Sequence, residues 1–116
     1  MTRDDVNAGC AQFPSVTCED PRGDGHDAWK VGGKMFARIG PTNDGVSVKT
    51  ESIEQAMFLI ELERGEKAPY FHRSWIRLPF DSDIGPDELR DRLATSYDLI
   101  RKKLTNKVQA TLPPWP

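Results

Sequence analysis

Apolar positions along the chain switch between helical and alternating spacing, and the switches mark out the elements. Val6, Cys10 and Phe13 recur at helical spacing over residues 2–13. Thr2 is placed to cap that helix, and Asp4 and Asp5 complement the positive end of its dipole. Pro14 ends it, because the residue before a proline is pushed out of the α region. Val16 to Glu19 is a short strand candidate, and residues 20–25, Asp-Pro-Arg-Gly-Asp-Gly, form a loop by composition. Ala28 to Val31 and Lys34 to Ile39 flank Gly32-Gly33, a connection that tolerates the positive φ of a primed turn, so a hairpin is expected. Asn43-Asp44-Gly45 turns the chain into a further strand, Val46 to Thr50.

The second half mixes both spacings. Ser52 with Gln55 three residues on has the spacing of a capping box. Ile53, Met57 and Ile60 give the helix that follows an apolar stripe, Glu51 and Glu54 lie at its start, Arg64 at its end, and Gly65 sits where a C′ glycine belongs. Tyr70 to His72 and Trp75 to Phe80 read as two strands or one interrupted strand. Gly85-Pro86 opens the last helix, where Leu89, Leu93, Tyr97, Ile100 and Leu104 form one stripe. From Lys107 the chain reads as an extended or mobile tail, so we expect a domain over residues 1–107 and a Pro-rich tail over 108–116. The expected fold class is α+β: a single two-layer domain, a twisted antiparallel sheet with helices packed on one face.

Strict alternation sorts the strand residues into two faces. Met35, Ala37 and Ile39 share one with Val46, Val48, Ile76, Leu78 and Phe80, and these are the expected core. The opposite face then holds Lys34, Phe36 and Arg38 on one strand, Ser47 and Lys49 on another, and Trp75 and Arg77 on a third. With a simple turn at Gly32-Gly33, Trp29 faces the same way as Phe36; a bulge at the glycines reverses it. Cations among aromatics are what a nucleic-acid surface needs, since cations displace counterions from phosphates and rings stack on bases. The plainer reading is a wet sheet face whose Lys and Arg stems cover aromatic surface. A protein-docking face fits the same residues, because exposed Trp and Arg are typical hot spots.

Composition narrows the classes. The 116 residues carry 16 basic and 18 acidic groups, a net charge of -2, which excludes a globally basic polymer binder. The charge is uneven: residues 1–25 hold five acidic against two basic groups, and residues 86–107 six basic against four acidic. The length corresponds to one domain that needs no disulfide or metal staple. Two cysteines are too few for a disulfide framework, and neither a membrane span nor a signal peptide is visible, so a cytoplasmic location is the expectation.

Three stretches carry a family resemblance. Residues 29–38, Trp-Lys-Val-Gly-Gly-Lys-Met-Phe-Ala-Arg, resemble the most recognisable element of the MmcQ/YjbR family. Tyr70, His72, Trp75 and Leu78 resemble its later aromatic region. Glu88-Leu89, Ser96-Tyr97 and Leu99-Ile100 resemble its closing helix. The similarity runs in matching order from about residue 5 to 105. The resemblance implies a frataxin-like (CyaY-like) fold and the family's usual description, a DNA-binding protein with a double-wing arrangement. Carried over, it points to Lys34, Phe36, Arg38, Trp75 and Arg77, to which the charge pattern adds Lys49. Duplex DNA is thus the expected partner, with a protein-interaction or small-ligand module using the same face as the alternative. The net charge and the acidic first segment depart from a strongly basic expectation.

Catalytic chemistry has little support. His26, between Asp24 and Asp27, and His72 are the only histidines. A carboxylate-oriented imidazole is conceivable at His26, and a packed, hydrogen-bonded role is the simpler reading of His72. Cys10 and Cys18 lack the paired spacing of a zinc site, with Cys10 simplest as core. Gly32-Gly33-Lys34 lies between strands, which is the wrong context for a phosphate loop. Tyr97 falls on the buried stripe, as a core anchor with its hydroxyl at the edge. Arg101, Lys102, Lys103 and Lys107 first complement a helix C-terminus. Asp4 and Asp5 are too sparse for the acidic ridge of an iron binder. No enzyme, cofactor or metal is expected.

Overall fold

The computed structural model describes residues 1–20 and 22–114. Along the chain these form α1 (Arg3–Ala11), β1 (Val16–Glu19), β2 (Asp27–Val31), β3 (Lys34–Ile39), β4 (Gly45–Lys49), α2 (Ile53–Glu61), β5 (Glu66–Lys67), β6 (Trp75–Pro79), α3 (Pro86–Lys102) and α4 (Asn106–Ala110). The strands build one antiparallel sheet in the order β1-β2-β3-β4-β6-β5. The side chains of α1, α2 and α3 meet one face of it in a single core. This is the α+β domain expected from the alternation of spacings.

Local signals account for most boundaries. Thr2 and Asp5 form a reciprocal capping box on α1, and the Ser52 side chain accepts from the Gln55 amide at the start of α2. Gly32 and Gly33 both have positive φ, 57° and 81°, as a two-residue primed hairpin turn requires. The α3 stripe is buried as expected, from Leu89 through Leu93, Tyr97 and Ile100 to Leu104.

The alternation fails at one residue. Trp29 pairs with Ala37 but Lys30 pairs with Met35, so Phe36 is the extra residue of a β-bulge. One inserted residue reverses the pleat on its N-terminal side. Phe36 therefore enters the core with no exposure, edge-on to Tyr97 at 5.3 Å and to Phe13 at 5.9 Å. Met35, expected in the core, lines the open face instead. Lys34 stands opposite Val31, a core residue, and so leaves the open face. Trp29 is also buried, its Nε1 donating to Asn7 Oδ1 at 2.9 Å.

A hydroxyl from α3 seats the bulge. The β3–β4 ladder ends at Ala37–Val48. Buried Ser96 extends it, donating to the Phe36 carbonyl at 2.6 Å and accepting from the Lys49 amide at 2.9 Å. The adjacent Tyr97 packs inside while its hydroxyl donates to the Pro14 carbonyl at 2.7 Å. The Ser-Tyr pair thus ties α3 to the bulge and to the end of α1.

Four other expectations are corrected. Helix α2 buries Ala56 and Leu59 rather than Met57, which is exposed beside Phe58 and Leu62, because the helix rests on the sheet edge through a narrow stripe. It stops at Leu62, where the left-handed residue is Glu63 (φ 59°) and not Gly65. Residues 70–72 form turns rather than a strand, with Tyr70 itself at φ 70°. The tail is not wholly extended: Thr105 caps α4, and Leu112 packs against the core. Its last two residues lie outside the described residues.

Candidate binding face

The sheet face away from the helices forms the floor of a groove of about 1110 Å³. Met35, Arg38, Ser47 and Arg77 rise from its strands, and Tyr70 and Phe71 stand at its wall. Arg38, Ser47 and Arg77 lie in one cross-strand row, as the pairing of β3, β4 and β6 requires.

Two cations of this face are already paired. Arg77 binds Asp44 at 2.6 Å and also Glu66. Burial works against its charge, but the hydrogen bonds and attraction of Asp44, then Glu66, hold its pKa up. Arg77 in turn holds the Asp44 carboxyl down. Gly45 makes room for this pair, since a Cβ there would come within 2.8 Å of the Arg77 guanidinium carbon. Lys30 is paired with Glu19 at 2.6 Å.

Arg38 makes no ion pair with a carboxylate among the described residues. Its guanidinium lies over the Phe71 ring, 5.6 Å from the centroid, and donates through Nη2 to His26 Nε2. The other ring nitrogen of His26 meets Asp24 Oδ1. That contact is the first cause holding the Asp24 carboxyl below its usual range. Phe71 stacks on Trp75 at 4.5 Å. Trp75 stands opposite Lys49, whose Nζ donates to Ser74 Oγ at 2.7 Å. Burial, and then the nearby Lys103, lower the Lys49 pKa. Arg38, Phe71, Trp75 and Lys49 thus form a continuous line of cation, ring, ring and cation, with Lys103, at the C-terminal end of α3, close to Lys49.

Of the residues expected on the site, Arg38, Trp75 and Lys49 fall on this line. Arg77 lies beside it as an ion-paired support, while Phe36 and Lys34 are elsewhere for the bulge's sake. Sequence reasoning missed Phe71 and Tyr70 on this face and the link from His26 to Arg38, and read Lys103 first as complementing a helix end. The aromatic density of residues 70–75 was the available signal for the first two. Tyr70 is 98% exposed in a conformation that L residues seldom adopt.

Among the described residues, Asp20, Asp24 and His26 are the group whose ligand atoms lie within 4.8 Å of one another. Asp20 already accepts from the Asp24 and Gly25 amides, both His26 nitrogens are engaged, and the Arg38 guanidinium adjoins them. Such a set is ill suited to a cation. His72 Nδ1 bonds the buried Ser74 through its hydroxyl at 2.8 Å and its amide at 3.1 Å, a local turn arrangement. No described helix is long and apolar enough to cross a membrane.

The architecture is that of a small α+β domain whose antiparallel sheet is covered on one side and open on the other. The chain belongs to the YjbR family, whose model matches residues 11–99. In three dimensions it is similar to the Deinococcus radiodurans protein DR2400, a crystal structure described by the family-model domain DUF419. The TM-score is 0.82 at 23% identity, over 94% of this chain and 86% of that one. That likeness concerns the fold. No curated protein matches the chain.

Proposed function

We propose that the protein is a non-enzymatic nucleic-acid-binding module that takes DNA on the open face of its sheet. The observation that carries this reading is the line from Arg38 through Phe71 and Trp75 to Lys49, with Lys103 close to it, in which no cation is ion-paired with a carboxylate among the described residues. Arg38 and the two lysines contact phosphates, and the rings lie against sugars or bases. Arg77 shapes the floor and contributes no free charge.

Three phosphate contacts set the size of the effect. Raising salt from about 50 to 200 mM weakens duplex binding about 40-fold and single-strand binding about 20-fold. The test is fluorescence anisotropy with labelled duplex and single-stranded DNA at both salts. Arg38→Glu abolishes binding, whereas Lys34→Glu, on the other side of the sheet, has a small effect. Absence of binding to either DNA at the lower salt overturns the proposal. The internal pairing of Arg77 and Lys30 favours a second reading, a protein or small ligand docked on the same rings. That reading gives binding which survives salt and is lost in Trp75→Ala.

A further inference from the structure

We infer that Arg38, His26 and Asp24 form a phosphoryl subsite whose occupation is coupled to uptake of a proton by His26. The inference rests on the reading of this face as a binder of phosphate-bearing ligands, and names the group that sits at its Arg38 end.

The argument follows from donors and acceptors. A guanidinium can only donate, so the His26 Nε2 that meets Arg38 Nη2 is an acceptor without a proton. The ring proton is then on Nδ1, given to the Asp24 carboxylate. The ring so placed occupies one arm of Arg38. The Phe71 ring covers the guanidinium from another side, and the groove opens in front of it.

An anionic oxygen arriving at Arg38 changes the balance. It accepts the N–H that Nε2 had been holding, and the bare Nε2 lone pair then faces a negative charge. A proton from solvent on Nε2 turns that repulsion into a second charge-assisted hydrogen bond. No covalent bond of the ligand is broken, and the proton balance is one taken from the buffer per site filled. Asp24, on Nδ1, stabilises the resulting imidazolium. The charged groups facing the ring are Asp24 and Asp20 of its own loop and Arg38 of β3. Arg22 of the loop lines the same groove, and Asp44 is engaged by Arg77. The two loop acids favour the charged ring and the two arginines oppose it. The incoming anion supplies the charge that shifts the balance.

The experiment is isothermal titration calorimetry of the intact protein with a single-stranded oligothymidylate, whose diesters do not titrate near neutrality, and separately with sulfate. Each runs in two buffers of different protonation enthalpy at about pH 6 and pH 8, the range over which histidines change charge. The expected result is net proton uptake of up to one per site, and affinity that falls by at most tenfold per pH unit as pH rises. His26→Gln keeps an acceptor for Arg38 but cannot take the proton, so it binds with no uptake and a flat pH profile. Thermal unfolding confirms that this variant is folded. Oligonucleotide binding without proton uptake, or uptake that persists in His26→Gln, overturns the subsite and leaves nucleic-acid binding standing. Sulfate bound with uptake while the oligonucleotide is not bound keeps the subsite and overturns single-strand binding on this face. Failure of both ligands to bind overturns the subsite and single-strand binding, and the duplex anisotropy measurement then decides nucleic-acid binding.

Discussion

Replacing Ser96 with alanine removes one oxygen and should destabilise the protein well beyond a usual surface change. The hydroxyl has no exposure and serves two backbone groups, donating to the Phe36 carbonyl at 2.6 Å and accepting from the Lys49 amide at 2.9 Å. The space vacated by one oxygen is too small and too enclosed to admit a well-bonded water. Each buried backbone group left without this partner costs about 1–3 kcal/mol. The carbonyl has a second lone pair and can recover part of its share, so the total expected is about 2–4 kcal/mol. Urea unfolding followed by tryptophan fluorescence reads this as a midpoint lowered by about 1–2 M with the slope unchanged. Thr95→Ala, one position earlier on α3 and only half-buried, should stay within about 0.5 kcal/mol. A loss below about 1 kcal/mol for Ser96→Ala would refute the claim that this hydroxyl seats the bulge.

The same geometry separates two residues that strict alternation puts with the binding face. Phe36→Ala should cost about 3–5 kcal/mol in unfolding measurements by opening a cavity beneath Tyr97; near-wild-type stability would place the ring outside the core. Stability should decline as pH falls through about 4.5, the range in which unperturbed carboxyls take up protons. Arg77 depresses the Asp44 carboxyl and Arg64 that of Glu88, so each contributes stability above that range and loses it below. Melting temperatures from about pH 7 to pH 3 should therefore fall less steeply in Arg64→Ala. Of the two thiols, exposed Cys18 should react with a disulfide reagent, but roughly tenfold or more slowly than free cysteine at pH 8. Partial burial, and then Asp27, push its pKa up to about 11. Cys10 should react only when the protein is unfolded, since it has no exposure.

How far the sequence reached depended on whether a signal was local. Caps at Thr2 and Ser52, the Gly32-Gly33 turn and the α3 stripe each involve residues within a turn or two of one another. Their elements form where that local chemistry puts them. The antiparallel α+β design follows from these pieces, and so does the family, carried by the hairpin and the Ser96-Tyr97 pair. Trp75 and Arg38 were legible as open-face residues, one lying on a regular strand and the other beyond the bulge.

The placement of Phe36 and Lys34 was decided in three dimensions. Period-2 reasoning assumes an unbroken ladder, and the inserted residue is held by a hydroxyl 60 positions away in α3. The electrostatics of the face were equally non-local. Arg77 counts as a free cation in the sequence, yet the fold brings Asp44 and Glu66 onto it; His26 and Phe71, from separate segments, meet at Arg38. Composition and spacing determined which elements exist and which residue types share a strand. Which charges remain available for a ligand depended on contacts between distant loops, and those exist only once the sheet has assembled.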